Sequence, residues 1–175
     1  MKQLIGLALI ISLAVTSCVA ADSPSEFPIA LATFTENDVD VSIQLERNDA
    51  GNYFLSAEFS PPAGYYLYSK DIPLTGVDGL GRPTLLTLTS ASQLKTVGGL
   101  VESVQAKEPE FDPKDLLVYP SGAVTLSLPV ELPAGSNWVG ETVKVTFMTC
   151  NNQGCKPPVI DKLVSIRVPG TDTFK

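Results

Sequence analysis

The chain has 175 residues, 44% of them hydrophobic, with 12 basic and 19 acidic side chains and a net charge of −7. This length and composition predict one ordinary domain with a sizeable core. The acidic balance argues against nucleic acid and anionic membrane surfaces as partners. The sequence contains no histidine, which excludes serine–histidine and cysteine–histidine nucleophile systems and histidine-containing metal sites, so neither a metal ion nor another cofactor is predicted.

Residues 1–17 have the features of an export signal. Lys2 precedes an apolar run over residues 4–15, which ends in small side chains. The run is too short to span a membrane comfortably, and no second run follows it. We therefore expect an exported, periplasmic protein whose net charge is −8, because loss of Lys2 leaves 11 basic against 19 acidic residues.

The export signal offers two cleavage sites. Residues 15–18 resemble the bacterial lipobox, in which Cys18 would become the lipidated first residue of a lipoprotein. The alternative is an ordinary signal-peptidase site at Ala21. We favour the lipobox, because a cysteine directly after the apolar run otherwise lacks a purpose, and a lipid anchor would be the only contact with the membrane. Residues 18–33 are then predicted to be a tether, and residues 34–170 the folded domain.

The remaining sequence consists of short segments with β-strand character. Some alternate apolar and polar side chains, and proline- and glycine-rich turns separate them. The predicted strands cover residues 39–45, 53–59, 64–68, 84–89, 124–130, 142–149 and 162–168. Residues 95–115, with prolines and clustered charges, are predicted to be loop. This pattern predicts an all-β, antiparallel sandwich of immunoglobulin type, with no helix of normal length after residue 17.

Two cysteines lie at the end of a predicted hairpin. Cys150 and Cys155 are separated by Asn-Asn-Gln-Gly, which predicts a turn that brings the sulfurs together. With Cys18 lipidated, they have only each other to bond with in an oxidising compartment. A domain of about 150 residues does not need a disulfide to fold, so we interpret the pair as redox-active. The alternative interpretation is a structural staple.

Three segments in this order resemble the amino-terminal periplasmic domain of the thiol-disulfide interchange protein DsbD. They are residues 65–70 with a Tyr-Leu-Tyr run, residues 119–130, and residues 150–158, in which Pro-Pro closely follows the second cysteine. The resemblance covers residues 34–168. It implies an immunoglobulin-like module that passes electrons between periplasmic thiol proteins through its two cysteines.

The resemblance also implies roles for individual side chains. Cys155 would form the mixed disulfide with a partner. Glu110 and Phe111 would lie in a cap loop that shields the sulfurs until the partner docks. Tyr66 and Tyr68 would flank the site, although strand and core packing is the simpler interpretation of these tyrosines.

Two residues after the second cysteine are further candidates. Lys156 stands beside Cys155, where its positive charge would favour the thiolate, whereas acidic side chains of the cap would oppose ionisation. Pro157 would stiffen the backbone next to the sulfur. Trp138, which follows Gly-Ser-Asn, is predicted to pack against the domain.

The implied partners are thioredoxin-like or other thiol proteins of the periplasm. The electron source would be a separate membrane donor, because the sequence has neither the transmembrane segments nor the thioredoxin-like domain that reduce this module in DsbD. Two functions remain open: an enzyme-like thiol-disulfide exchange module, or an immunoglobulin-like interaction or assembly module with an inert structural disulfide.

Overall fold

A computed structural model describes residues 27–174 of the chain. The predicted export signal, Cys18 and the first part of the predicted tether lie outside these residues. The first strand, β1 (Ile29–Glu36), begins within the predicted tether, so residues 29–33 belong to the sheet. The strand lacks a regular alternation because its pairing with the next strand shifts between Ala30 and Ala32, which places Leu31 in a bulge.

The described residues are almost entirely β-structure. The strands after β1 are β2 (Val39–Arg47), β3 (Tyr53–Ser60), β4 (Tyr66–Leu67), β5 (Leu85–Leu88), β6 (Lys95–Thr96), β7 (Val101–Glu102), β8 (Val124–Glu131), β9 (Val139–Phe147), β10 (Thr149–Asn151), β11 (Gly154–Cys155) and β12 (Val159–Val168). A 3₁₀ helix (Thr171–Phe174) follows β12. Within residues 27–174, no helix is long and apolar enough to cross a membrane.

The larger sheet has six antiparallel strands. Its order is β1-β2-β3-β8-β6, and β7 pairs with another part of β8. Every second side chain of β2 and β8 is buried, because successive side chains of a strand point to opposite faces. The register aligns Val41, Phe59 and Val124 in one buried row across β2, β3 and β8.

A second sheet, with the order β12-β9-β5, packs against the first. Its buried residues, among them Leu86, Val143 and Val145, join those of the larger sheet in one core. Phe59 of the larger sheet and Phe147 of the smaller one meet edge to face, with 5.7 Å between ring centroids. Two antiparallel sheets around a single apolar core confirm the predicted all-β, immunoglobulin-like sandwich.

Residues 95–115 are not loop throughout, as the sequence predicted, because β6 and β7 lie within them. These two short strands pair with the outer side of β8. Pro129, in the middle of β8, lies opposite the gap between them, and its carbonyl accepts a hydrogen bond from Val97 on that side. A proline interrupts no ladder bond there, since its missing N–H points to the same side as its carbonyl.

A small third sheet contains both cysteines. β10 follows β9 after Met148 and lies between β4 and β11. Beneath it is a separate apolar cluster, distinct from the main core. Its buried members are Tyr68, Ile72, Leu116, Val118 and Cys150. The cysteine hairpin therefore rests on its own support at one end of the sandwich.

Candidate functional site

The two cysteines lie directly opposite each other in the β10–β11 hairpin and form a disulfide. The turn is stabilised by Asn151, whose side-chain oxygen accepts hydrogen bonds from the backbone N–H groups of Gln153 at 2.9 Å and Gly154 at 3.1 Å. Asparagine commonly closes turns in this way. Opposed residues of an antiparallel pair have neighbouring Cβ atoms, so this register brings the sulfurs within bonding distance.

The two sulfurs have different surroundings. Cys150 is 0% exposed in the apolar cluster, because β10 is the central strand of its sheet. Cys155 is exposed, because β11 is an edge strand. Of the two cysteines, only Cys155 is therefore exposed toward an approaching thiolate. This asymmetry is not visible in the sequence, where both cysteines occupy equivalent positions beside a turn.

Tyr68 places a hydroxyl against the buried sulfur. Its oxygen lies 3.1 Å from Cys150 Sγ and 3.9 Å from Cys155 Sγ. The hydroxyl is the donor, because a disulfide sulfur carries no hydrogen. Burial raises the pKa of the Tyr68 phenol above its ordinary value, and the neighbouring Tyr66 raises it further. Tyr68 therefore remains a hydrogen-bond donor beyond the pH at which an exposed tyrosine ionises.

The segment with Glu110 and Phe111 forms a loop closed at its base. Lys107 and Val118 exchange backbone hydrogen bonds of 2.8 and 2.9 Å, so residues 108–117 project as one loop. The Phe111 ring lies 5.9 Å from that of Tyr66, which in turn meets Tyr68 edge to face at 5.7 Å. We call residues 108–117 the cap loop.

Only one of the two predicted cap residues reaches the site. Phe111 lines a cavity of about 330 Å³ together with Cys155, and its side chain is 37% exposed. Glu110 is exposed, and within residues 27–174 no hydrogen bond or ion pair connects it to the cysteine hairpin. The other side chains of this cavity include Tyr68, Leu80, Arg82, Met148 and Pro158.

Lys156 is paired with an acidic side chain. Its ammonium forms an ion pair with Asp38 at 2.6 Å, and this contact raises the pKa of Lys156. The effect of this lysine on the Cys155 thiolate stays a prediction.

Asp38 belongs to a turn that the sequence interpretation missed. Asn37 and Asp38 connect β1 to β2 with φ values of 51° and 62°. Two such residues in sequence are typical of a tight type I′ hairpin, and an Asn-Asp pair before an alternating strand is its sequence signal. The Asn37 side chain donates a 2.8 Å hydrogen bond to the carbonyl of Pro157. The β1–β2 turn thus holds the backbone that follows Cys155.

Residues suited to hold a metal ion are not grouped in the part of the chain that the structure describes. No cluster of three or more histidine, cysteine, aspartate or glutamate side chains occurs between residues 27 and 174. The side chains around the disulfide are the Tyr68 phenol, apolar side chains, and the charged Arg82 and Asp112.

Comparison with known proteins gives a similarity among solved structures. No protein-family model matches the chain, and no curated protein matches it significantly. The structure is similar to the crystal structure of the DsbD n-terminal domain of Neisseria meningitidis in the reduced form. The two are 18% identical, the match covers 82% of this chain and 86% of the other, and the TM-score is 0.42. The similarity to this domain that the sequence indicates is thus also found among solved structures.

We expect Asp38→Asn to lower the pKa of Lys156 toward its ordinary value. The carboxylate favours the charged ammonium, so its removal reverses the raised pKa, and asparagine tolerates the left-handed backbone of the turn. The measurement is an NMR titration of the Lys156 side chain. Glu36→Gln is the control, because it breaks an ion pair of the same turn with Lys162 instead. An unchanged Lys156 pKa in Asp38→Asn would show that the pair does not form in solution.

We expect Phe111→Ala to increase the rate at which small thiols reduce the disulfide, by about three- to tenfold, because the rate depends on access to the attacked sulfur. The measurement is the second-order rate constant for reduction by dithiothreitol. Trp138→Ala is the control, because Trp138 is 41% exposed and precedes β9 at the end opposite Cys150. Equal rates in both variants would contradict a covering role for the cap loop.

Proposed function

We propose that this chain is an exported thiol-disulfide exchange module that passes electrons between thiol proteins through Cys150 and Cys155. The observation that carries the proposal is the difference between the two sulfurs. Cys155 is exposed at the wall of a cavity, and Cys150 is buried against the hydroxyl of Tyr68. A disulfide with one reachable sulfur and one protected sulfur directs attack to a single atom.

The exchange begins when a thiolate of a dithiol partner attacks Cys155 Sγ. A sulfur–sulfur bond forms between the partner and Cys155, the Cys150–Cys155 bond breaks, and Cys150 leaves as a thiolate. The partner's second thiolate then attacks its own sulfur in this mixed disulfide and releases Cys155. Two electrons and two protons pass to the module, which becomes a dithiol while the partner becomes a disulfide. The reverse sequence delivers the electrons, and Cys150 then resolves the mixed disulfide.

Tyr68 supports the first step at the leaving group. Cys150 would become an anion in an apolar cluster, where charge is poorly stabilised. The Tyr68 hydroxyl lies 3.1 Å from this sulfur and can donate a hydrogen bond as the charge develops. Its raised pKa keeps the proton on the phenol during the step. Phe111 and Tyr66 would cover the site from the side of the cap loop, and Pro157, held by Asn37, would fix the backbone beside Cys155.

The alternative function is an immunoglobulin-like interaction or assembly module with an inert disulfide. A disulfide that closes a loop of about six residues contributes only roughly 2 kcal/mol in the chain-entropy model. A domain with a continuous two-sheet core gains little from so short a connection. A purely structural disulfide does not require an exposed cysteine beside a cavity, so the surroundings of Cys155 favour exchange.

The partners that fit this chemistry are thioredoxin-like or other thiol proteins of the periplasm. A separate membrane protein would supply the electrons. Lipidation of Cys18 would keep the module near that donor, with residues 18–26 as the tether and the sandwich as the single folded domain. Residues 34–170, predicted as the domain, extend at their start to include β1.

The reduction potential of the Cys150–Cys155 pair tests the proposal. We expect a value above about −250 mV, which is the range of exchange proteins rather than of structural disulfides. The measurement is thiol trapping at equilibrium across dithiothreitol ratios, with a variant lacking both cysteines as the blank. A value below about −300 mV would mean a structural staple and would contradict the proposed function.

We expect Tyr68→Phe to slow reduction of the disulfide by about tenfold, because a hydrogen bond to the developing Cys150 thiolate is lost. The measurement is the rate constant for reduction by dithiothreitol at constant pH. Tyr119→Phe is the matched control, because Tyr119 is also buried but donates its hydrogen bond to Glu102 at 2.7 Å. Equal rates in Tyr68→Phe and the wild type would remove Tyr68 from the mechanism.

A further inference from the structure

A second loop lines the cavity together with the cap loop. We call residues 73–82 the Leu80 loop. Its tip is a tight turn in which Val77 and Leu80 exchange backbone hydrogen bonds of 3.0 and 2.9 Å. Asp78 and Gly79 occupy the centre of this turn with φ values of 52° and 81°, the conformation of a type I′ turn.

Hydrogen bonds from Arg82 to backbone carbonyls stabilise this loop. Its Nη1 atom lies within hydrogen-bonding distance of the carbonyl oxygens of Thr75 at 2.8 Å, Gly79 at 3.1 Å and Gly81 at 2.5 Å, so its two hydrogens are shared among three acceptors. At Gly81 a Cβ atom would lie 2.8 Å from a methyl carbon of Leu116, so the base of the loop lies tightly against the apolar cluster. The loop is therefore held in one shape before any partner arrives.

The braced loop presents an apolar side chain to the solvent beside the reactive sulfur. Leu80 is 53% exposed and lines the same cavity as Cys155, Met148 and Phe111. An exposed leucine alone is ordinary. This one lines the cavity that also borders Cys155, and hydrogen bonds within its loop lower the ordering cost when another surface packs on it.

We propose that the Leu80 loop is a docking surface for the cysteine-bearing loop of a protein dithiol, whose apolar side chain packs against Leu80 while its thiolate reaches Cys155. The inference rests on the proposed exchange function and identifies the kind of partner. Arg82 and Asp112 both line the cavity, so their charges offset each other, and a partner surface that is apolar and uncharged around its cysteine fits this wall.

The test compares a small and a protein reductant on the same disulfide. The rate constants for reduction by dithiothreitol and by a reduced thioredoxin are measured for the wild type, Leu80→Ser and Leu74→Ser. Leu74 is the matched control, because it is 70% exposed in the same loop but does not line the cavity. Both leucines are exposed, so neither substitution opens the core.

We expect Leu80→Ser to slow reduction by thioredoxin about tenfold. The substitution removes the apolar area that Leu80 would bury against the partner, roughly half of a leucine side chain. Reduction by dithiothreitol should stay within about twofold, as expected when only contacts with a protein partner are lost. Leu74→Ser should leave both rates unchanged. This pattern would support a docking role for Leu80.

The other outcomes overturn the inference in distinguishable ways. If Leu80→Ser slows both reductants equally, Leu80 shapes the reactive site rather than the docking surface. If it slows neither, or if the wild type is reduced by dithiothreitol but not by thioredoxin, the loop is not a docking surface for such a partner, although the exchange chemistry stands. If neither reductant reduces the wild type, the proposed function itself fails.

Discussion

The register of the small sheet is the constraint on which the site depends. Cys150 pairs with Tyr66 on one side and with Cys155 on the other, so one cysteine occupies a central strand and the other an edge strand. Burial, hydrogen bonding and access all follow from this arrangement. A shift of one residue would turn the cysteine side chains to the other face of the sheet and away from Tyr68.

The sandwich contributes to the site mainly as a frame. The sulfurs rest on a small apolar cluster at one end, where three connecting segments meet. The β1–β2 turn holds the backbone after Cys155, the cap loop brings Phe111 to the cavity, and the Leu80 loop, stabilised by Arg82, lines the same cavity. Loops carried by a rigid scaffold commonly supply binding and catalytic groups, because they tolerate variation without loss of the core.

The electrostatics of the site depend on burial more than on charge. Lys156, the cation nearest to Cys155 in sequence, is paired with Asp38. No other cation takes its place in a contact with the sulfurs among residues 27–174, where Tyr68 is their hydrogen-bond partner. A neutral phenol in an apolar setting stabilises a developing thiolate without lowering its pKa as strongly as a cation would.

The sequence by itself determined the fold class and the cysteine hairpin. Alternation in β2 and β8 and the turn between Cys150 and Cys155 are local signals, because strand period and turn chemistry act over a few residues. It also indicated the aromatic segment of Tyr66 and the cap segment of Phe111, through resemblance. It did not reveal that Lys156 forms an ion pair, since its partner Asp38 is more than one hundred residues away in the chain.

Only the tertiary structure decided that Cys150 is the buried cysteine and that the Tyr68 hydroxyl contacts its sulfur. It also decided that Leu80 lines the cavity beside Cys155. These properties depend on strand order and on contacts between distant segments: Tyr68 is 82 residues from Cys150, and Leu80 reaches Cys155 only through the packing of its loop on Leu116. Residue types and spacing carry no information about such contacts, because burial is a property of the assembled chain. Local patterns therefore specify the parts of this site, and packing specifies its chemistry.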